Sequence, residues 1–424
     1  MNATGALLKV ARSASATVAA KPCASVSQLP LQIVTFTTLY PNSVTPNHGI
    51  FTETSLRHQL GSGALHAVVV APVPWFPFGS RLVGRYAGYA GIPDYEVLNG
   101  VEVYHPRYLA VPGIGMYLAP LTLAFAARRA FRSLLEAGHR IDLIDAHYFY
   151  PDGVAAALAA RAVRRPLIIS ALGSDISLLP RFRWPRVLIR WAGRHASAMV
   201  SVCAALKLEM VRLGMDGARI HTLRNGVDLD LFYPEPRAAT RERLAVHGFT
   251  LLSVGHLVEL KGHEHAIAAL AELPDVQLLI VGAGPDRARL EALAARLGVG
   301  SRVRWVGVLS QPELRLYYSA ADALVLASSR EGWANVLLEA MACGTPALAS
   351  NVWGTPEVLG APAAGRLLSE RSGAGVAAAV RALRADLPDR AATRAYAENF
   401  SWHATTDAKL SLFSLATAAF LKKR

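Results

Sequence analysis

The sequence predicts an α/β protein of two Rossmann-like halves, each a doubly wound parallel sheet, facing each other across a cleft. Three observations carry this. Short apolar strand runs alternate with helix-like runs from residue 31 onward, and such alternation gives parallel sheets covered on both faces. The series breaks at the polar segment Asp228 to Thr240, with Pro234 and Pro236, and restarts at Phe249. A chain of 424 residues is too long for one ordinary core, and its 52% apolar content supplies two.

Residues 1–30 are rich in Ala and Ser, carry Lys9, Arg12 and Lys21 with no acid, and hold apolar patches too short for a secretory signal. They read as a disordered extension or an early start codon. The first domain, 31–230, opens with a strand at 31–36, a Pro-rich loop to His48 and a helix from Gly49 to Leu60. Further strands read at 67–71, 141–146, 167–171, 198–202 and 220–223. The second domain, 241–403, carries strands at 249–255, 276–281, 303–306, 323–327 and 346–349. A helical run, 404–421, closes the chain. Ligands of such sheets bind beyond the carboxyl ends of the strands.

Cys23, Cys203 and Cys343 are odd in number, far apart and without a C-x-x-C pair, which indicates neither a disulfide framework nor a zinc site. A reducing, cytoplasmic setting fits. The net charge of +13 comes mostly from arginine, whose surfaces attract phosphates. Arg181, Arg183, Arg186, Arg190 and Arg194 alternate with Phe182, Trp184, Leu188, Ile189 and Trp191. Two readings stand: a solvated helix with its apolar side in the core, or a segment lying on an anionic membrane surface at the inner face of the cytoplasmic membrane. The most apolar stretch, 111–127, is interrupted by Pro112, Gly113, Gly115 and Pro120, so no membrane span is expected. No nucleic-acid-binding module accompanies the charge, and no nucleic acid is expected as a partner.

The chemistry concentrates in Ser328-Ser329-Arg330-Glu331-Gly332-Trp333-Ala334-Asn335, which follows an apolar strand and runs into a helix carrying Glu339. Gly332 lets the backbone approach a ligand, and the amides at Ala334 to Val336 make a helix start suited to phosphate. Glu331 and Glu339 bracket that start about two helical turns apart, so one can accept hydrogen bonds from a sugar and the other from a ribose. With the small-residue run from Ala340 to Pro346, the spacing resembles the E-x7-E signature of the retaining glycosyltransferases of family 4, whose two-domain fold is GT-B.

The resemblance covers residues 31 to 415 and assigns further roles. Gly255-His256-Leu257-Val258-Glu259-Leu260-Lys261-Gly262 resembles the family loop G-R-L-V-x-x-K-G, in which Lys261 would neutralise the departing diphosphate. His256 stands where the family carries arginine. His147, at the end of a strand, resembles the active-site histidine, and Ser174 and Asp175 fall on the acceptor side. The loop at Gly49 would bring amides to the phosphates, and Arg224-Asn225-Gly226-Val227-Asp228 would form cleft wall. Gly282-Ala283-Gly284 and Val308 would border the nucleotide base, with Trp333, Ala334 and Asn335 on the donor as well. The final helix would pack back on the first domain.

The expected reaction moves a hexose from a UDP- or GDP-linked sugar to a glycan or lipid-linked acceptor, in polysaccharide or surface-glycan assembly, with no cofactor and no metal. Asp228-Leu229-Asp230 is formally a metal-binding D-x-D but sits in the linker. Two alternatives stay open: a non-catalytic nucleotide-sugar-binding scaffold, and an NAD-dependent oxidoreductase. The latter lacks a complete G-x-G-x-x-G, since Arg287 holds the third position.

Overall fold

The computed structural model describes residues 30–75, 88–111 and 113–422; apart from Pro30, the expected extension at 1–30 lies outside them. The first half contains β1 (Leu31–Phe36), β2 (Leu65–Val70), β3 (Val73–Trp75), β4 (Tyr95–Leu98), β5 (Val101–Tyr104), β6 (Arg107–Leu109), β7 (Leu143–His147), β8 (Leu167–Ala171), β9 (Ala198–Ser201) and β10 (Ile220–Thr222). The second contains β11 (Phe249–Val254), β12 (Val276–Val281), β13 (Val303–Gly307), β14 (Ala323–Leu326), β15 (Ala347–Ser350) and β16 (Gly365–Leu368).

Apolar runs with β-branched residues set the centre of each sheet. β7, β8 and β9 are buried at every residue, as parallel strands covered on both faces must be. The first sheet has the order β10-β9-β8-β7-β1-β2-β5-β4, parallel except for the β4–β5 hairpin. The second, all parallel, has the order β13-β12-β11-β14-β15-β16. β3 and β6 form a small separate pair.

Each strand expected from the sequence is present, with ends shifted by no more than two residues. β3 to β6 and β16 had no counterpart in that reading. These strands hold three or four residues, too few to display a period of two, although Asn99-Gly100 between β4 and β5 is a strong hairpin signal. Both turn residues adopt positive φ, 49° and 80°. The expected linker is partly helical, because Arg237–Arg243 forms a helix with Arg241 bonded to Asp322.

One face of the first sheet packs on helices 115–136, 154–163 and 183–195; the other packs on helix 50–61 and the final helix, Trp402–Leu421. That final helix returns from the second half. Its start is fixed where Val227 N donates to Phe400 O at 2.8 Å, and where any side chain on Gly226 would strike the Trp402 backbone at 2.6 Å. Its middle is fixed by Lys409, which reaches into the first sheet and donates to Asp145 Oδ2 at 2.7 Å. His147 Nε2 meets the same oxygen at 2.9 Å. Burial alone would raise the Asp145 carboxyl; Lys409 and His147 outweigh it and hold the group at about 2.

Removing one partner of a buried pair leaves the other charge uncompensated, so Lys409→Ala should destabilise the protein by about 3–5 kcal/mol in denaturant unfolding. Lys409→Met combined with Asp145→Asn should recover most of that loss. Equal damage in the single and double variants would refute the pair's role.

Candidate active site

The site is assembled where loops from β11 and β14 lie against each other. Gly262 has φ 70°, and a Cβ there would stand 2.0 Å from Ala327 O, so only glycine lets the β11 loop settle on the end of β14. That settling carries Lys261 to the β14 loop. Its Nζ donates to Glu331 Oε1 at 2.7 Å, and Ser328 Oγ donates to the same oxygen at 2.7 Å.

Gly332 brings the halves together. A Cβ at this position would lie 1.9 Å from Leu172 O at the end of β8, and one at Gly354 would lie 2.2 Å from Gly332 O. Around this contact is a cavity of about 290 Å³, lined by Phe51, Leu172 and Val202 of the first half and by Lys261, Glu331 and residues 332–336 of the second, with Asn225 at the junction. Helix 335–342 starts in this cavity with no side-chain cap at Ala334, leaving its amides for a ligand. A second cavity of about 200 Å³ shares Phe51, Asn335 and Val336 and reaches Glu339, Gln311 and Trp402. The uncapped helix start thus lies between the two carboxylates.

Glu339 accepts a hydrogen bond from Tyr318 Oη at 2.8 Å. Burial pushes its carboxyl up to about 7, against the opposing effect of that bond. The Tyr318 hydroxyl is in turn raised well above its ordinary range, by burial first and by Glu339 second.

Of the residues expected from the sequence, Lys261, Glu331, Gly332, Trp333, Ala334, Asn335 and Glu339 line the two cavities. His147 does not, which corrects its placement in the cleft. In a strand, residues two apart share a face, so His147 points with Asp145 toward the final helix, where its ring is buried on Asp145 and Lys409. Burial lowers its pKa below the usual histidine range. Asp175 is corrected as well: it is fully buried and accepts from the amides of Gly173, Phe149 and Leu172, forming a structural turn below the cleft. Ser174 is tied to Tyr148 Oη at 2.7 Å.

Gly49, Gly255, His256, Gly282, Gly284 and Val308 are not among the residues lining the two cavities. Gly49 (φ 66°) starts helix 50–61 directly against the Leu39 carbonyl. Gly282 and Gly284 are packing glycines, since Cβ atoms there would lie 1.9 Å from Gly255 O and 2.4 Å from Leu257 O. His256 and Val308 are exposed beside them.

The sequence reading missed Glu357. This residue of the second half accepts from Ala204 N at 2.8 Å and Ala205 N at 3.2 Å, at the start of helix 204–212 in the first half, and takes two hydrogen bonds from Arg224. A carboxylate at a helix N-terminus is favourably placed, so Glu357 holds the halves together beside the cavity. Among the described residues no cluster of three His, Cys, Asp or Glu is arranged to hold a metal ion. Asp228 instead pairs with Arg57 and accepts from Asp230 N and Leu231 N.

Two Rossmann-like sheets closing on a basic residue, a helix start and two carboxylates define a glycosyltransferase of the GT-B fold. Residues 57–231 match the model for Glycosyltransferase Family 4, and residues 238–400 match that for Glycosyl transferases group 1. The chain belongs to glycosyltransferase family 4. It is 30% identical over 357 residues to D-inositol 3-phosphate glycosyltransferase 1 of Catenulispora acidiphila, covering 76% of this chain and 83% of that one. It is 29% identical over 338 residues to TuaC of Bacillus subtilis, named as a candidate glycosyltransferase of teichuronic acid biosynthesis, covering 78% and 83%. The fold matches sucrose-phosphate synthase of Thermosynechococcus elongatus with a TM-score of 0.70 at 22% identity, over 92% of this chain and 100% of that one. HepE of Anabaena, solved with UDP-glucose, matches with a TM-score of 0.68 at 20% identity, over 91% and 99%. No helix among the described residues is long and apolar enough to cross a membrane.

Gly332→Ala should hold the halves apart and lower turnover by roughly 100-fold through lost positioning, because a Cβ there meets only backbone. Glu339, raised from its ordinary 4.5 to about 7, binds a proton that the unfolded chain has released, so its contribution makes stability fall as pH rises across that window. An ionised carboxylate accepts hydrogen bonds from ligand hydroxyls where the protonated form holds one oxygen as a donor. Nucleoside diphosphate affinity measured by calorimetry should therefore gain close to tenfold per pH unit up to about 7 and then level off. Glu339→Gln should remove this part of the profile.

Proposed function

We propose that this chain is a retaining hexosyltransferase that moves a hexose from a UDP- or GDP-linked sugar to a hydroxyl of a glycan or lipid-linked acceptor, in the assembly of a polysaccharide or surface glycan. The observation that carries this reading is the Lys261–Glu331 pair, 2.7 Å long, beside an uncapped helix start in the cavity between the halves. The bond between the anomeric carbon and the diphosphate oxygen breaks, and its electron pair stays on that oxygen. Lys261 and the helix amides meet the new charge where it develops. The acceptor oxygen bonds to the anomeric carbon from the face the diphosphate leaves, and its proton passes to the departing phosphate. Glu331 orients the sugar hydroxyls and Glu339 those of the ribose. The UDP-glucose in the structurally similar HepE supports this donor class.

Thermal stabilisation by UDP, GDP, ADP and NAD at equal concentration is the direct test, because a ligand that binds only the native state raises its stability with occupancy. Selective stabilisation by one nucleoside diphosphate, reduced in Glu339→Ala, is expected and identifies the base. Stabilisation by NAD alone would point to the oxidoreductase. With that donor base, Lys261→Ala should cut turnover by roughly 100- to 1000-fold, the scale of a lost charge-stabilising group. The scaffold reading requires no turnover in the wild type, and turnover that disappears in Glu331→Ala excludes it.

A further inference from the structure

Most arginines of the second half have partners: Arg237 and Arg241 pair with Asp322, Arg287 with Glu291, Arg381 with Glu272 and Arg384 with Asp275. Helix Arg183–His195 of the first half is different. No Asp or Glu occurs between Asp175 and Glu209, and none of Arg181, Arg183, Arg186, Arg190 and Arg194 forms an ion pair among the described residues. Arg183 and Arg186 stand in the first turn, which has neither an acidic residue nor a side-chain cap. Cations at the positive end of a helix dipole oppose it, so these charges are not explained by helix stability.

The apolar residues divide in the same way. Pro185, Ile189, Ala192 and Gly193 face the core. Phe182, Trp184 and Val187 remain 44%, 51% and 55% exposed, interleaved with these arginines, of which Arg186 donates from Nε to Pro180 O at 2.6 Å and keeps its terminal nitrogens outside any ion pair among the described residues. Large apolar side chains set among unpaired cations match the chemistry of a lipid interface, where ring and aliphatic groups enter the headgroup boundary and guanidinium groups bind phosphate. The helix also begins near the active site. Only helix 174–177 and the turn 179–181 separate it from Gly173, which meets Gly332 across the cleft.

We propose that the outward face of helix Arg183–His195 docks on an anionic phospholipid surface, with Phe182, Trp184 and Val187 entering the headgroup boundary and Arg183, Arg186 and Arg190 binding lipid phosphates. This surface does not depend on the donor or acceptor proposed above.

The test is sedimentation of the full chain with vesicles of phosphatidylglycerol and phosphatidylcholine in equal parts, and with phosphatidylcholine alone, at about 0.15 M salt. Binding is expected to the anionic vesicles only. Each basic residue near such a surface contributes about a fivefold factor, so Arg183→Gln/Arg186→Gln/Arg190→Gln should lose roughly 100-fold in affinity. Phe182→Ser/Trp184→Ser should lose roughly tenfold, and both variants should melt with the wild type. Equal binding to both vesicle types, no vesicle binding, or full binding in either variant would overturn the proposal. So would binding of DNA through this helix with no binding to vesicles.

Discussion

The structure depends on one close approach, the backbone of Gly332 against the Leu172 carbonyl, with Gly354 stacked behind it. No other residue type fits at that contact, and the distances leave no space for a rotamer to adjust. Because the two loops meet there, the cavity is bounded on one side by the ends of β8 and β9 and on the other by the loops after β11 and β14. Neither half alone makes the site. Glu357 and the returning helix 402–421 are the supports that keep this contact, one near the cavity and one behind the first sheet.

The excess positive charge is distributed unevenly. In the second half arginine often serves as mortar: Arg394 bonds the carbonyls of Ala342 and Phe232, and Arg390 bonds those of Ser319, Ala321 and Cys343. Burial lowers Arg390 to about 10. Charge used in this way is invisible to a ligand. The net +13 therefore says little about partners until the paired and carbonyl-bound arginines are set aside, and those left over lie largely on the helical face of the first half.

Legibility in the sequence followed the range of the signal. Central strands such as β1, β8 and β12 were read to the residue because an apolar run bounded by turn residues is a local pattern. Lys261, Glu331 and Glu339 were legible from the motifs around them, the glycine-led loop after β11 and the E-x7-E spacing across the start of helix 335–342, and all three line the two cavities. His147 was misplaced because position along a strand does not say which face a side chain takes; Asp145 two residues earlier was the clue. Lys409, 262 residues from His147, has no local signal at all, since only the fold makes it a partner. Glu357 is similar, being an ordinary helix-start acid until the other half supplies amides and Arg224.

Two lysine–carboxylate pairs in this protein have the same length and opposite uses. Lys261–Glu331 and Lys409–Asp145 both measure 2.7 Å, but their side chains are 25% and 10% exposed in the first pair and 5% and 1% in the second. The first pair keeps some contact with solvent in the cavity, so in the proposed reaction a diphosphate can draw Lys261 away at lower cost than the second pair would demand. The buried pair cannot be opened without stranding a charge at several kcal/mol, so it serves as a fixture. Burial, not distance, therefore separates the lysine that can change partners during a reaction from the lysine that ties the chain's last helix to its first sheet.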